Sequence, residues 1–264
     1  MNSPPLDRAA LSPTELDDYQ QHGYVVRRNL FAPVEVANLQ REAVRLLVDN
    51  RDLIDPGNLR CRFMEHVETG EPIFEVFDPV NDISPVCAGF ASDPRIVAMV
   101  ESIYGEPACL FKEKLIFKPP GARGYDLHQD IPRYWPGFPR SFLTVLLPID
   151  EATADNGCTE LYAGYHHDFL QPPGRPDLYM LPADVVDSRR RVPLLLSPGD
   201  AAVFHGLTPH RSAPNRSPGL RRALYLSYNA RSDGGDQRQR HYQEFQERMR
   251  THHEQQGRSG MYFR

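Results

Sequence analysis

The sequence lacks the features that mark secreted, membrane-spanning or disulfide-stapled proteins. Its four cysteines form no C-x-x-C pair, and a chain of 264 residues can fold without disulfides, so free thiols are expected. No stretch approaches the roughly 18 consecutive apolar residues that a membrane span requires. The beginning of the chain shows neither a basic region nor an apolar run, so we predict no signal peptide. We therefore expect a cytoplasmic protein without a membrane contact.

The chain also lacks a concentration of positive charge. Its formal net charge is −5, and its short arginine runs at 189–191 and 221–222 are scattered. Domains that bind nucleic acid usually carry clustered basic residues, and the diphosphate of coenzyme A would need a basic patch as well. We therefore expect a small-molecule substrate and no nucleic-acid partner. The sequence does not distinguish a monomer from a homodimer.

Helical patterns dominate the sequence up to about residue 105. Ser12-Pro13-Thr14-Glu15 has the residues of a capping box, with proline at the first helical position. The stretch after residue 51 is polar and irregular, so no regular element is expected there before residue 72. The predicted elements are a helix from 13 to about 21, a strand at 24–26, a helix from 33 to about 48, a strand at 72–77 and a helix from 93 to 105.

The middle of the chain consists of short apolar runs bounded by Gly, Pro, Asn or Asp. Six or more short strands without long helices between them favour a sandwich or a jelly-roll barrel over an alternating parallel sheet. A charged helix from 236 to about 256 is expected to lie on the surface, with its histidines 241, 252 and 253 in solvent. The predicted core strands are 110–118, 142–148, 159–162, 192–196, 201–205 and 222–228.

The segment His128-Gln129-Asp130 is the most informative motif of the chain. On a strand, side chains two residues apart point to the same face, so His128 and Asp130 can act together. Two imidazoles and one carboxylate can bind one face of an octahedral Fe(II) and leave the other face open. The second imidazole must come from a distant segment, and both His205 and His210 are candidates.

Ser212 and Arg221 favour His210 as the third ligand. Ser212 follows His210 at i+2 on the same face, where its hydroxyl can bond a bound carboxylate. Arg221 opens a predicted strand that can hold a guanidinium rigidly for a bidentate pair with a dicarboxylate. Arg216 has the same offset from His205, but it lies in a turn rich in Pro, Asn, Ser and Gly. The predicted metal ligands are therefore His128, Asp130 and His210.

Two other classes of protein remain as alternatives on these residues alone. One is a metal-binding cupin-type enzyme that does not use 2-oxoglutarate. The other is a ligand-binding protein of similar sequence that no longer binds iron. Arg221 and Ser212 argue against the first class, because such an enzyme needs neither residue. The intact His-Asp-His set argues against the second.

Residues 110–230 resemble the phytanoyl-CoA dioxygenase family of Fe(II)- and 2-oxoglutarate-dependent oxygenases, in its branch of ectoine hydroxylase and small-metabolite hydroxylases. The resemblance implies Fe(II), 2-oxoglutarate and O₂ as cofactors, and a hydroxylation that releases succinate and CO₂. It also implies a hydroxylase rather than a halogenase, because related halogenases have a small residue where this chain has Asp130. The matching motifs are Leu127-His128-Gln129-Asp130, Asn156-Gly157-Cys158, Gly164-Tyr165-His166, Ser197-Pro198-Gly199-Asp200, Pro209-His210-Arg211-Ser212, Asn215 and Arg221.

The same resemblance implies the fold. It is a mainly β double-stranded β-helix of the jelly-roll, cupin-like type with flanking helices. We therefore predict one domain over 1–264. Within it, 1–105 forms a helix-rich part with a lid, 106–232 forms the jelly-roll core, and 233–264 forms the C-terminal helix.

The substrate contacts are less well defined by the sequence. Lys112, Lys114 and Lys118 alternate along one predicted strand, whose counterpart in the family faces the pocket. Lys112 is expected to contact the cosubstrate and Lys114 an anionic substrate, with a solvent-exposed strand face as the alternative. Arg133, Tyr134 and Trp135 follow the metal motif and are predicted substrate contacts, with packing of the barrel mouth as the alternative.

Two substrate classes are expected on these grounds. Segments around residues 119, 210 and 227 look similar to bacterial members that hydroxylate aminoalkylphosphonates. A natural-product intermediate is the other small polar metabolite that we expect. His166 and His167 follow a Gly-Tyr turn and are assigned either to packing or to the substrate.

Overall fold

The computed structural model describes residues 10–130, 139–170 and 180–264. The α-helices within these ranges are α1 (Pro13–His22), α2 (Pro33–Asp49), α3 (Pro85–Ala91), α4 (Pro94–Tyr104) and α5 (Arg238–Gln255). The strands are β1 (Tyr24–Arg27), β2 (Cys61–Glu65), β3 (Pro72–Phe77), β4 (Ala108–Ile116), β5 (Tyr125–His128), β6 (Leu143–Pro148), β7 (Thr159–Tyr162), β8 (Arg191–Pro193), β9 (Ala201–His205), β10 (His210–Ser212) and β11 (Ala223–Ala230). No helix in the described ranges is both long and apolar enough to cross a membrane.

The strands form two sheets in which the paired strands run antiparallel. The larger sheet has seven strands in the order β1-β9-β6-β11-β4-β3-β2, and the smaller has four in the order β5-β10-β7-β8. Neighbours in each sheet are mostly distant in sequence, as in a jelly roll, and within the described ranges no βαβ crossover joins the core strands. This arrangement confirms the expected fold class.

Alternation along the strands of the large sheet divides the apolar side chains between two cores. One face carries Leu115 and Leu224, which pack in a single cluster with Leu46 of α2 and Met99 of α4. The other face carries Ile116 and its neighbours, which pack with residues of the small sheet. The helices therefore cover the outside of the large sheet, and the space between the two sheets is left for a site.

The first helix forms as the sequence predicts. The Ser12 hydroxyl accepts a hydrogen bond from the Glu15 backbone N–H, and the Glu15 carboxylate accepts one from the Ser12 backbone N–H at 2.8 Å. Gly23 ends the helix with φ at 79°, a conformation that glycine adopts without strain. The chain then enters β1 at once and pairs with β9, which ties the N-terminal part to the sheet.

The structure corrects the predictions for several segments. β2 lies where no regular element was expected, because its mixed composition gives no strand pattern, and pairing with β3 stabilises it. α3 lies in a stretch for which no element was predicted. The C-terminal helix is docked rather than only superficial, because the Tyr242 hydroxyl bonds to both the N–H and the carbonyl of Glu113. The neighbouring His241, which we expected in solvent, is buried against Phe111.

Candidate metal centre

The centre is built where β5 and β10 pair. Their antiparallel register places His128 directly opposite His210, and the two ring centroids lie 4.1 Å apart. Asp130 follows just beyond the end of β5, where its backbone N–H donates to the carbonyl of Gly206 at 2.8 Å. One Asp130 carboxylate oxygen lies 3.9 Å from His128 Nε2 and the other 3.8 Å from His210 Nε2. Two imidazole nitrogens and one carboxylate thus converge, although Asp130 is not on the strand itself as predicted.

Backbone carbonyls fix the orientation of both imidazoles. His128 Nδ1 lies 2.7 Å from the carbonyl of Asp126, and His210 Nδ1 lies 3.0 Å from the carbonyl of Thr208. A carbonyl can only accept, so each Nδ1 carries the proton and each Nε2 presents its lone pair to the centre. This is the tautomer that a metal-binding histidine needs.

Burial keeps both imidazoles neutral at pH 7. It lowers the pKa of His128 to about 3, with a further contribution from the neighbouring His210, and it also lowers the pKa of His210. Burial alone would raise the pKa of Asp130, but the positive charge of Lys112 and the other basic groups nearby outweigh it, and the net shift is downward. Neutral imidazoles and an ionised carboxylate are the states in which these side chains bind a metal.

The other candidate histidine lies outside this cluster. His205 Nε2 lies 2.9 Å from the Ser141 hydroxyl, and its Nδ1 accepts a hydrogen bond from the Leu207 N–H. Within the described ranges, His128, Asp130 and His210 form the one set of three or more ligating side chains whose ligand atoms all lie within 4.8 Å of one another. The structure therefore brings together the residues that the sequence selected and leaves His205 apart.

Gln129 was not singled out by the sequence analysis, although it stands between two of the predicted ligands. It is completely buried, and its amide nitrogen donates to the carbonyls of Asp168 and Leu207 at 2.7 and 2.6 Å. Its amide oxygen accepts from the Leu170 N–H. Because its neighbours face the centre, Gln129 points to the opposite side and fastens two loops behind them.

A cavity opens beside the two histidines, between the sheets. Lys114 and Tyr225 contribute to its wall from adjacent positions on β4 and β11, and the Lys114 ammonium lies 5.3 Å from the centroid of the Tyr225 ring. The Tyr225 hydroxyl lies 2.8 Å from that of Thr159. The residues that line the cavity are Lys114, Ile116, Tyr125, His128, Thr159, His210, Arg211, Ser212 and Tyr225.

Arg221 lies beyond the Ser212 end of this cavity. It precedes β11 instead of opening it, and its backbone N–H is held by the carbonyl of Lys118 at 3.1 Å. The residue is only 2% exposed, yet its Nε has no hydrogen-bond partner and no carboxylate pairs with its guanidinium in the part of the chain that the structure describes. A buried guanidinium without an anion is costly, so this end of the site is incomplete without an anionic ligand.

The charges of Lys118 and Glu75, which lie at the same end of the site, also favour an anionic ligand there. Burial, together with the positive charge of Arg221, lowers the pKa of the Lys118 ammonium to about 7. The carboxylate that acts on both groups is Glu75, which is fully buried; its pKa is raised by burial, and its Oε2 accepts a bond from the Tyr125 hydroxyl. Two cations therefore face one carboxylate. A bound dicarboxylate fits this imbalance, and the His-Asp-His set fits an octahedral Fe(II).

The remaining predicted residues fall in two groups. Lys112 lies on the same strand face as Lys114, with its ammonium 5.1 Å from the centroid of the Phe142 ring. Among the neighbouring charges, that of Lys112 has the largest lowering effect on the pKa of Asp130. Arg133, Tyr134 and Trp135 lie outside the described residues.

Lys118 and Glu75 complete the site but were given no role by the sequence analysis. Lys118 was expected on the face of β4, but the strand ends at Ile116 and the lysine is completely buried beyond it. Its position directly before Pro119-Pro120-Gly121, a segment that must leave the strand, was the available signal. Nothing in the sequence marks Glu75, which lies on β3, a strand outside the predicted jelly-roll core.

Comparison with known proteins agrees with this geometry. The family model for phytanoyl-CoA dioxygenase matches residues 19–223. A methylphosphonate hydroxylase from Gimesia maris is 31% identical over 241 residues, which cover 88% of this chain and 85% of that protein. A 2-aminoethylphosphonate dioxygenase from an uncultured bacterium is 33% identical over 181 residues, which cover 68% of each protein.

Solved structures match over most of the chain. EctD from S. alaskensis, solved with 2-oxoglutarate and 5-hydroxyectoine, has a TM-score of 0.70 at 25% identity, covering 85% of this chain and 80% of that one. The non-heme alpha ketoglutarate dependent epimerase SnoN from nogalamycin biosynthesis matches in fold, with a TM-score of 0.67 at 21% identity over 85% of this chain and 83% of that one. The chain therefore belongs to the phytanoyl-CoA dioxygenase family of Fe(II)- and 2-oxoglutarate-dependent dioxygenases, and it has their double-stranded β-helix fold.

Proposed function

We propose that this protein hydroxylates a C–H bond of a small alkylphosphonate or aminoalkylphosphonate, with 2-oxoglutarate converted to succinate and CO₂. The observation that carries the proposal is the pair of ammonium groups, Lys112 and Lys114, on the strand face beside the metal centre. We assign Arg221 to the dicarboxylate cosubstrate, and we assign one of the two ammonium groups beside the centre to an anionic substrate. Two relatives that are 31% and 33% identical are named for phosphonates, which are anions of this size.

In this proposal His128, Asp130 and His210 hold Fe(II). Bound iron and 2-oxoglutarate together supply the oxidising chemistry, and the protein supplies binding, orientation and exclusion of water. The hydrogen bonds from the two imidazoles to the carbonyls of Asp126 and Thr208 keep both rings oriented toward the centre before the metal binds. The buried position of all three ligands keeps bulk water away from the reacting C–H bond.

Arg221 and Ser212 anchor the distal carboxylate of 2-oxoglutarate. The guanidinium fork can form two parallel charge-assisted hydrogen bonds with a carboxylate, and the Ser212 hydroxyl adds a third. Supporting this placement, Ser212 lines the cavity that begins at His128 and His210, and its hydroxyl contacts Lys118, whose carbonyl holds the backbone of Arg221. Among the described residues, the buried Arg221 guanidinium has no hydrogen-bond partner at its Nε. The cosubstrate then spans the cavity from the metal to Arg221.

This placement exchanges the two lysine roles that we expected from the sequence. Lys114 lines the cavity together with Ser212 and Tyr225, so we now assign it to the cosubstrate. Lys112 lies beside Phe142 and is not among the residues that line this cavity, so we assign it to the substrate. Arg133, Tyr134 and Trp135, which lie outside the described residues, remain proposed substrate contacts.

A matched substrate panel tests the proposal. The Fe(II) protein is incubated with 2-oxoglutarate, O₂ and either methylphosphonate, 2-aminoethylphosphonate, its sulfonate analogue taurine, or its carboxylate analogue β-alanine. We expect succinate release that depends on a phosphonate, together with a new ³¹P resonance and a mass gain of one oxygen. Succinate release that responds only to the sulfonate or the carboxylate would refute the phosphonate assignment while leaving the reaction class in place.

A further inference from the structure

Lysine is the rarest cation of this chain, and it occurs only at the site. The sequence has 27 arginines but three lysines, all of them between residues 112 and 118. Lys118 is the one to which the proposed function gives no role. It is 0% exposed, and an ammonium buried to this extent is costly unless its donors are satisfied. A lysine kept at such a position in an arginine-rich chain calls for an explanation based on the shape of its charged group.

The Lys118 ammonium is surrounded by three oxygen acceptors. It donates to the Ser212 hydroxyl at 2.9 Å, to the carbonyl of Gly157 at 3.2 Å and to the carbonyl of Ala213. An ammonium has three N–H donors, so the three oxygens use all of them. A planar guanidinium does not match this arrangement, which explains why arginine does not replace lysine here.

The turn at Gly157 is shaped around this lysine. A side chain at Gly157 would place a Cβ 2.7 Å from the Lys118 ammonium nitrogen and 2.1 Å from the carbonyl oxygen of Ala213. Gly157 also has φ at 70°, where other residues are strained. The backbone next to the ammonium therefore has a conformation and a close approach that only glycine permits. This observation supports a built site for Lys118 separately from its hydrogen bonds.

The contact with Lys118 decides what Ser212 can do. A hydroxyl has one donor and two acceptor lone pairs. The Ser212 oxygen accepts from the Lys118 ammonium and, at 3.3 Å, from the Tyr125 backbone N–H. Both lone pairs are used, so the Ser212 hydroxyl can act toward a further partner only as a donor. A carboxylate accepts hydrogen bonds and does not donate them, so this is the state that a carboxylate ligand requires.

We propose that Lys118 is a positioning residue for the cosubstrate, which holds the Ser212 hydroxyl as a committed donor to the distal carboxylate of 2-oxoglutarate. The inference rests on the proposed function, in which that carboxylate lies at Arg221 and Ser212. Lys118 acts through Ser212 and does not itself contact the ligand, since its three donors are already used within the protein.

A double-mutant cycle tests the inference. The affinity of the Fe(II) protein for 2-oxoglutarate is measured by calorimetry without O₂ for the wild type, Lys118→Met, Ser212→Ala and the double variant. We expect each single variant to bind about 10-fold more weakly, which corresponds to one hydrogen bond to a charged group. The double variant is expected to bind no more than about twofold more weakly than Ser212→Ala, because Lys118 has nothing left to position.

Pyruvate separates positioning from a general structural role. It carries the 2-oxo acid group but lacks the distal carboxylate, so its affinity and the iron content are expected to be unchanged in Lys118→Met. Equal weakening of pyruvate and 2-oxoglutarate, or fully additive losses in the cycle, would overturn the inference. If Lys118→Met is recovered unfolded, Lys118→Gln takes its place, with an expected loss of about threefold and the same coupling.

Failure of the proposed function gives a different result. If Arg221→Ala binds 2-oxoglutarate as tightly as the wild type, the distal carboxylate does not lie at this end of the cavity, and the proposal and the inference both fall. If Arg221→Ala weakens binding and Lys118→Met does not, the proposed function stands and the inference alone is wrong.

Discussion

His128 and His210 face each other across the antiparallel pair β5–β10, with their ring centroids 4.1 Å apart. The register of these two short strands therefore creates the candidate metal centre. Side chains alternate along a strand, so a slip of one residue would turn His210 away and present a neighbour instead. Pairing of β10 with β7 on its other side, where His210 lies opposite Leu161, holds that register.

Removal of a ligand should abolish iron binding, and removal of the excluded histidine should not. We expect His210→Ala and His128→Ala to lose iron by at least about an order of magnitude in affinity, because each deletes one of three protein ligands. His205→Ala is the matched control, since its imidazole bonds to Ser141 and Leu207 instead. Iron stoichiometry after anaerobic reconstitution checks this. Iron lost from His205→Ala and kept by His210→Ala would contradict the assignment.

Arg221→Ala should weaken 2-oxoglutarate binding by about 100-fold while iron still binds. The magnitude follows from the loss of a buried, bidentate charge-assisted contact. Arg221→Lys should recover only part of the affinity, because an ammonium does not reproduce the fork. The exposed Arg216, which has the same offset from His205, provides the control variant Arg216→Ala. Titration calorimetry distinguishes them, and equal affinities for all these variants would show that the anchor lies elsewhere.

Lys114→Met and Lys112→Met should separate the two anion-binding roles. We expect Lys114→Met to raise the KM for 2-oxoglutarate, because Lys114 lines the cavity with Ser212. Lys112→Met should raise the KM for the phosphonate by about 10-fold and leave the affinity for 2-oxoglutarate unchanged. Steady-state kinetics with one substrate varied at a time measures both. The reverse pattern would restore the roles that the sequence suggested.

The sequence predicts those parts of the site that depend on local spacing. His128 and Asp130 are two residues apart, and Ser212 lies two residues after His210, so short-range alternation is enough to place each pair on one face. The capping box of α1 is local in the same way. These features need no knowledge of how distant segments pack.

The parts that the sequence did not predict depend on long-range packing. The three acceptors of Lys118 come from two distant segments, the turn at Gly157 and the end of β10, and no pattern around residue 118 reveals them. Most residues of α5 are charged or polar, so the sequence did not show that Tyr242 docks on Glu113 and that His241 is buried beside it. Pairing with β3 likewise orders β2 in spite of its mixed composition.

His166 should make the protein less stable in mild acid. It is 4% exposed, neither ring nitrogen has a hydrogen-bond partner among the described residues, and burial together with the neighbouring His167 lowers its pKa to about 4. In the unfolded chain its pKa is about 6.5. Between these values the unfolded state binds more protons, so stability is lost as the pH falls from about 6.5 to 4.

The contribution of His166 can be isolated by substitution. We expect the free energy of unfolding to fall by on the order of 2 kcal/mol between pH 7 and pH 5 through this residue. His166→Phe should remove this share of the dependence, while His128, His205, His210 and His241, whose pKa values are also lowered, keep the rest. His252→Phe, at an exposed position of α5, is the control. Urea unfolding at both pH values checks the prediction, which fails if His166→Phe keeps the full slope.

The most direct test of the central claim is a balance of products in ¹⁸O₂. The Fe(II) protein is given 2-oxoglutarate and a phosphonate, and succinate and the phosphonate product are quantified by mass spectrometry. We predict equal amounts of the two products, each with one ¹⁸O atom, and neither product from Asp130→Ala. Iron-loaded protein that leaves 2-oxoglutarate unconsumed, or a phosphonate product without oxygen from O₂, would contradict the account.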